Sequence, residues 1–148
     1  MADDENSLRI SEKALKDLSE ITTLQEAVTI LEKLDLKQIS LLIQKHKEYH
    51  SQNYKNNEIS QIISSTSDPQ DLKSKIKEHA IILLNDQLQR IKDEIKSRRK
   101  KGEDVELEDI ASMKIPLKIK VYSVTGNLED YNNIKKLIET LKKSLNIE

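Results

Sequence analysis

The sequence predicts a mainly α-helical protein: an extended helical or coiled-coil oligomerisation region, followed by a small C-terminal strand–helix module. Long stretches carry aliphatic residues every three or four positions, which is the period of an amphipathic helix. Phe and Trp are absent and four Tyr are the only aromatic residues, as is typical of helical assemblies built from Leu, Ile and Val. One segment near the C-terminus instead alternates apolar and polar residues, which is the period of a strand.

The composition restricts the classes of function. A formal net charge of −1 over 148 residues excludes an overall basic coat for nucleic acid, although it allows a local basic patch. The chain has no Cys and only two Gly, so we expect neither thiol chemistry nor a glycine-rich phosphate loop. The acidic start and the lack of long apolar runs do not resemble a signal peptide or a membrane span. We therefore expect a cytoplasmic protein that is not an enzyme and that uses no cofactor, membrane or small-molecule substrate.

Residues 8–63 predict a helical dimerisation region, which follows a disordered acidic lead over residues 1–7. Thr23 and Asp35 each stand three positions before a Glu or Gln, the spacing of a capping box at a helix start. Helices in quick succession, each with one apolar stripe, favour an interlocked homodimer over a compact monomer. The residues assigned to the dimer seam are Leu18, Leu24, Leu31, Leu36, Ile39 and Ile43.

Residues 64–111 predict one long helix followed by an acidic connector. No Gly or Pro interrupts the chain between Pro69 and Gly102, and a helix of about 30 residues spans about 45 Å. A small domain cannot cover an apolar stripe of that length, so we expect the stripe to meet another helix, from this chain or from a second copy. The residues assigned to this second association region are Ile76, Leu84, Leu88, Ile91 and Ile95.

Residues 112–148 predict a small β-α module with a lone strand over Ile115–Val124. Alternation with Pro and Lys places four apolar residues on one face of this strand: Ile115, Leu117, Ile119 and Val121. A lone strand leaves unpaired N–H and C=O groups on both edges. We expect it to pair with its twin in a dimer, with a partner's sheet, or with a weak strand elsewhere in the chain.

Clustered basic residues are the candidate surface for DNA or for a protein partner. The run that ends the long helix has the charge to contact phosphate groups, or is a solvated last helical turn. On a paired strand, Lys118 and Lys120 would share one face, as in ribbons that enter a DNA groove, although edge lysines also prevent aggregation. The candidate residues are Arg98, Arg99, Lys100, Lys101, Lys114, Lys118, Lys120, Lys135 and Lys136.

His46 and His50 are four positions apart, which is a metal-ligand spacing on a helix. The residue after His46 is not the Glu that zinc proteases use, and His79 is the only other histidine. Polar positions where the helix meets solvent explain the pair, so we predict no metal site.

Fragments of the chain resemble the H-NS-type family of bacterial nucleoid proteins. The first two similar fragments are Ala14-Leu15-Lys16 with Leu18, Ile21 and Thr23-Leu24, and the stretch Leu34–Tyr49. The later ones are Leu88-Gln89 with Gly102-Glu103-Asp104 and Leu107, and then Thr125-Gly126, Ile134-Lys135-Lys136 and Lys143-Ser144-Leu145. The resemblance implies two self-association sites, a DNA-binding domain and a nucleoid-associated role in transcription regulation.

The DNA-reading loop departs from that family, which has Trp before Thr-Gly and Gln-Gly-Arg after it. Here Val124 precedes Thr125-Gly126 and Asn127-Leu128-Glu129 follows, so an acidic residue replaces the Arg that enters the minor groove. The resemblance therefore implies a member that reads DNA differently or that joins other oligomers. The residues alone leave open a helical adaptor or chaperone that binds a protein partner without DNA.

Overall fold

The computed structural model describes residues 2–48 and 53–147, with side chains described from residue 4 onward. Within these ranges all regular secondary structure is helical, so the expectation of a mainly α protein is confirmed and that of a C-terminal strand is wrong. The helices are α1 Ala2–Glu20, α2 Leu24–Glu32, α3 Leu36–Glu48, α4 Asn57–Ser64, α5 Pro69–Lys100, α6 Glu106–Met113, α7 Ile115–Thr125 and α8 Leu128–Ser144.

The chain divides into two compact units, Met1–Ala80 and Ile81–Glu148. Unit 1 contains α1 to α4, unit 2 contains α6 to α8, and α5 contributes residues to both. The expected disordered lead overlaps α1, since acidic residues in a first helical turn interact favourably with the helix dipole.

In unit 1, α1 lies against α3 and also contacts α2 and α4. Ser11 is fully buried in α1, and its Oγ lies 2.7 Å from the main-chain oxygen of Gln38 in α3. The capping box expected at Asp35 is confirmed, because Asp35 Oδ1 accepts from the Gln38 N–H (2.8 Å) and Gln38 Oε1 accepts from the Asp35 N–H (3.0 Å). Thr23 precedes α2 but makes no side-chain cap hydrogen bond.

In unit 2, α8 packs against both α6 and α7. The rings of Tyr122 in α7 and Tyr131 in α8 are buried, with their centroids 5.6 Å apart. Ser144 donates from α8 to Glu108 of α6 over 2.7 Å. Two large aromatic side chains thus belong to a core that otherwise consists mostly of aliphatic residues.

The predicted strand is helix α7, and its buried positions explain the error. Ile115, Ile119 and Tyr122 are buried at helical spacing, whereas Leu117 is 68% exposed and Val121 is 44% exposed. Residues four apart satisfy both a helical and a two-residue period, so Ile115 and Ile119 fit either structure. The alternation arises because the outer face of α7 is apolar as well.

The ends of α7 follow local backbone rules. Pro116 lies in the first turn, where its missing N–H removes the bond that would continue α6 without a break. Gly126 closes the helix with a left-handed φ of 65°, and its N–H donates to the Tyr122 carbonyl over 2.8 Å. Most of the residues expected to form an acidic connector, from Glu106 to residue 111, belong instead to helix α6.

Candidate interaction surface

The residues assigned to a dimer seam lie mostly inside unit 1. Leu36 is the exception, with 44% of its surface exposed. The buried ones are Leu18, Leu24, Leu31, Ile39 and Ile43. Their burial within one chain accounts for their apolar character without a second copy.

The residues assigned to a second association region are buried in the same way. None of them is more than 5% exposed: Ile76, Leu84, Leu88, Ile91 and Ile95. The stripe of the long helix is therefore covered by the chain itself, and no contact with another copy is needed to explain it.

The two arginines at the end of α5 make contacts within unit 2. The Arg98 guanidinium donates to Glu94 over 2.9 Å and also to the main-chain oxygen of Leu145, just past α8. Arg99 pairs with Asp109 of α6 over 2.8 Å. Both arginines thus hold helices of unit 2 together, while Lys100 and Lys101 are exposed.

The lysines of the supposed strand do not share a face. Positions two apart on a helix point about 200° from each other around its axis, so Lys118 and Lys120 lie on opposite sides of α7. Both are exposed, as is Lys114 at the junction of α6 and α7, and no ion pair among the described residues involves any of the three. On α8, Lys136 is exposed and Lys135 is half-buried. The geometry of a DNA-binding ribbon is absent from the described part of the chain.

Among the described residues, most of the large apolar side chains that are exposed lie on the outer faces of α6 and α7. Their exposed fractions range from 44% to 81%. We name them the apolar strip: Leu107, Ile110 and Met113 of α6, and Leu117, Val121 and Val124 of α7. Scattered exposed aliphatic residues are normal, whereas six on two consecutive helices form a concentration of the kind found on protein interaction surfaces.

Local structure places the apolar strip on one side of the chain. Its members follow one another at intervals of three or four residues, which is the spacing of a single helical face. The helical pattern continues from α6 into α7, since the one residue between them, Lys114, has helical backbone angles of −82° and −19°. The opposite face is buried at Ser112, Ile115 and Ile119. Because that inner face packs into the core, the apolar strip faces away from it.

A shallow groove adjoins the apolar strip between α7 and α8. It encloses about 250 Å³, and its lining is Leu117, Lys118 and Val121 from α7 with Asp130 and Asn133 from α8. Asp130 Oδ2 already accepts from the Thr125 hydroxyl over 2.6 Å. The groove offers an apolar floor with a basic group on its α7 side.

A polar cluster lies in unit 1 around His46, which is 4% exposed, so the expectation that this residue lies where the helix meets solvent is wrong. The His46 Nδ1 lies 2.8 Å from the Tyr54 hydroxyl, and Nε2 lies 3.0 Å from the Ser64 hydroxyl. Burial lowers the pKa of His46 and raises the pKa of Tyr54 to about 12. These hydrogen bonds join the end of α3 to the end of α4.

The His46 cluster lacks two requirements of a nucleophilic serine. Its third member, Tyr54, is a neutral phenol rather than the carboxylate that stabilises an imidazolium. Ser64 is the last residue of α4, where the helix dipole is negative and disfavours an oxyanion. His50 lies outside the described residues, and the described ones contain no cluster of three or more potential metal ligands. The cluster is best explained as a packing contact in the core.

Burial of His46 is expected to make unit 1 less stable in mild acid. Its folded pKa lies below the unfolded value of 6.5, so between the two values the unfolded chain binds a proton that the folded chain does not. The protonation of His46 therefore leaves the free energy of unfolding unchanged above pH 6.5. It lowers that free energy as the pH falls below 6.5, and the loss levels off below the folded pKa. Urea unfolding between pH 7.5 and 5 should show this loss, and His46→Gln should be less sensitive. Equal pH dependence in both proteins would contradict the assignment.

The apolar strip was not predicted from the sequence, because its residues were divided between an expected connector and an expected strand. Only Leu107 was linked to self-association, through the family resemblance, whereas Ile110, Met113, Leu117, Val121 and Val124 were not assigned to association. The spacing of three or four residues between all six members, from Leu107 to Val124, was the signal in the sequence that could have identified the strip.

Comparisons with protein-family models, with curated protein sequences and with solved structures found no match. The resemblance to H-NS-type proteins therefore stays a prediction. Among the residues that the structure describes, no helix has both the length and the apolar character needed to cross a membrane.

Proposed function

We propose that this chain is a non-enzymatic protein-interaction adaptor, and that it binds a helix of a protein partner on the apolar strip. The observation that carries this proposal is the exposure of six large apolar residues in helical register on α6 and α7. Helix recognition by a protein surface uses apolar anchors at the same three- and four-residue spacing. Burying these side chains against a partner would remove them from water, which is the main driving force of association.

Contacts in unit 2 favour a protein partner over nucleic acid. Arg98 and Arg99 are engaged with groups of their own unit, and Lys118 and Lys120 point to opposite sides of α7. A duplex bound at the lysines would face the apolar strip with phosphate groups, which cannot replace water around Leu117 or Val121 favourably. A protein helix can cover the apolar side chains and still pair with the lysines at the edges.

A library of helical peptides displayed on phage tests this proposal, with the full chain immobilised sparsely enough that two copies do not meet. We expect selection of peptides with apolar residues spaced three and four apart. Leu117→Asp should weaken their binding at least tenfold, because it places a charge within the apolar strip. Ile82→Asp is the matched control, since Ile82 is 56% exposed in the same unit but outside the apolar strip.

Two outcomes would overturn the adaptor function. Failure to select any peptide, or equal peptide binding by wild type and Leu117→Asp, would remove the apolar strip as a binding surface. Salt-sensitive binding of duplex DNA that Lys118→Glu abolishes and Leu117→Asp leaves intact would point to nucleic acid instead.

A further inference from the structure

We infer that the helix bound on the apolar strip is the apolar strip of a second copy of this chain, in antiparallel orientation. The inference rests on the proposed function, because it names the partner of the same surface. It places self-association on α6 and α7, and neither on the buried stripe of α5 nor on the core of unit 1.

The charges along the apolar strip are separated by sign. Its start is flanked by three exposed acidic residues, Glu103, Asp104 and Glu106. Its second half is flanked by the exposed Lys118 and Lys120. The other two carboxylates of α6 make contacts inside unit 2, Glu108 with Ser144 and Asp109 with Arg99. Between residues 103 and 124 the exposed charges are therefore acidic at the start of the apolar strip and basic towards its other end.

A surface with opposite charges at its two ends is complementary to itself only when two copies run antiparallel. A two-fold axis brings the same patch of both copies together, and residue i then meets residue j twice. In the antiparallel arrangement, Leu107 faces Val121 of the second copy and Ile110 faces its Leu117. Glu106 then lies beside Lys120 of the second copy. A parallel arrangement would place lysine against lysine and glutamate against glutamate, which is unfavourable.

A foreign helix fits this surface less completely than a second copy does. An acidic partner helix would match the lysines but would meet the carboxylates at the start of α6 with like charge, and a basic helix would do the reverse. Six aliphatic side chains per copy also supply an apolar centre for an interface of standard size, about 800 Å² per partner. The charge pattern thus selects the second copy.

Charge reversal with complementation tests the inference. Sedimentation equilibrium of the full chain should give a dimer that dissociates on dilution. Glu103→Lys with Glu106→Lys, and separately Lys118→Glu with Lys120→Glu, should each raise the dissociation constant at least tenfold, because each variant faces itself with like charges. An equimolar mixture of the two variants should restore a dimer of one chain of each kind. The control is Lys92→Glu with Lys96→Glu, which changes the charge by the same amount at two exposed positions of α5 and should leave the dimer intact.

The outcomes separate this inference from the proposed function. A wild-type chain that stays monomeric up to millimolar concentration overturns the dimer, while peptide binding that depends on Leu117 would still support an adaptor. A dimer that neither charge-reversed variant weakens, or a mixture that does not restore the dimer, overturns the antiparallel arrangement. Circular dichroism of each variant excludes misfolding, since every substituted side chain is exposed.

Discussion

Ile39→Asp is expected to unfold unit 1, with a loss of about 4 kcal/mol or more in its free energy of unfolding. Ile39 is completely buried in α3, the helix that α1 packs against. The new carboxylate would have no cationic partner there, and the loss of the isoleucine side chain would add a packing defect. Urea unfolding followed by circular dichroism measures the effect, and we expect a large drop in the midpoint or a unit that does not fold.

Leu36→Asp provides the matched control for Ile39→Asp. Leu36 lies one turn earlier on α3 and is 44% exposed, so its replacement should change stability by only about 0.5 kcal/mol. Both residues were assigned to the interface of a dimer from the sequence. If they formed such an interface, either substitution would separate two chains that each stay folded. Two variants that stay fully folded but have half the mass of the wild type would contradict the core assignment.

Local signals in the sequence predicted individual elements well. The reciprocal hydrogen bonds of Asp35 and Gln38 form as their spacing indicated, because a capping box involves only residues three apart. The long helix runs from Pro69 to Lys100, and Gly102 follows it with a φ of 83°. Such features depend mostly on neighbouring residues, but spacing alone is not sufficient, because Thr23 has the same spacing to Glu26 and makes no side-chain cap hydrogen bond.

The partner of each apolar stripe could not be predicted in the same way. A stripe such as that of Ile76 or Ile91 has the same spacing whether it is buried in its own chain or against a second copy. The His46 cluster is equally hidden, because Tyr54 and Ser64 lie 8 and 18 residues away with no regular spacing. Only packing brings these groups together, and a single sequence contains no direct signal for it.

Ile115→Asp is expected to unfold unit 2, also with a loss of about 4 kcal/mol or more in the free energy of unfolding. Ile115 is completely buried at the start of α7, on the face that packs against α8. Leu117→Asp, two positions further on, should change stability by less than about 1 kcal/mol, because Leu117 is 68% exposed. Urea unfolding at low protein concentration, where a dimer would not contribute, measures both.

This pair of substitutions separates a helix from a strand at the same segment. In a strand, Ile115 and Leu117 share one face, so a buried face would make both substitutions similarly damaging. In α7 they point in directions about 200° apart, so one belongs to the core and the other to the apolar strip. Equal destabilisation by the two variants would contradict α7 and the apolar strip together, because the exposure of Leu117 depends on the helical period. A large difference would support both, and it would leave Leu117 as an exposed position where association can be measured without loss of the fold.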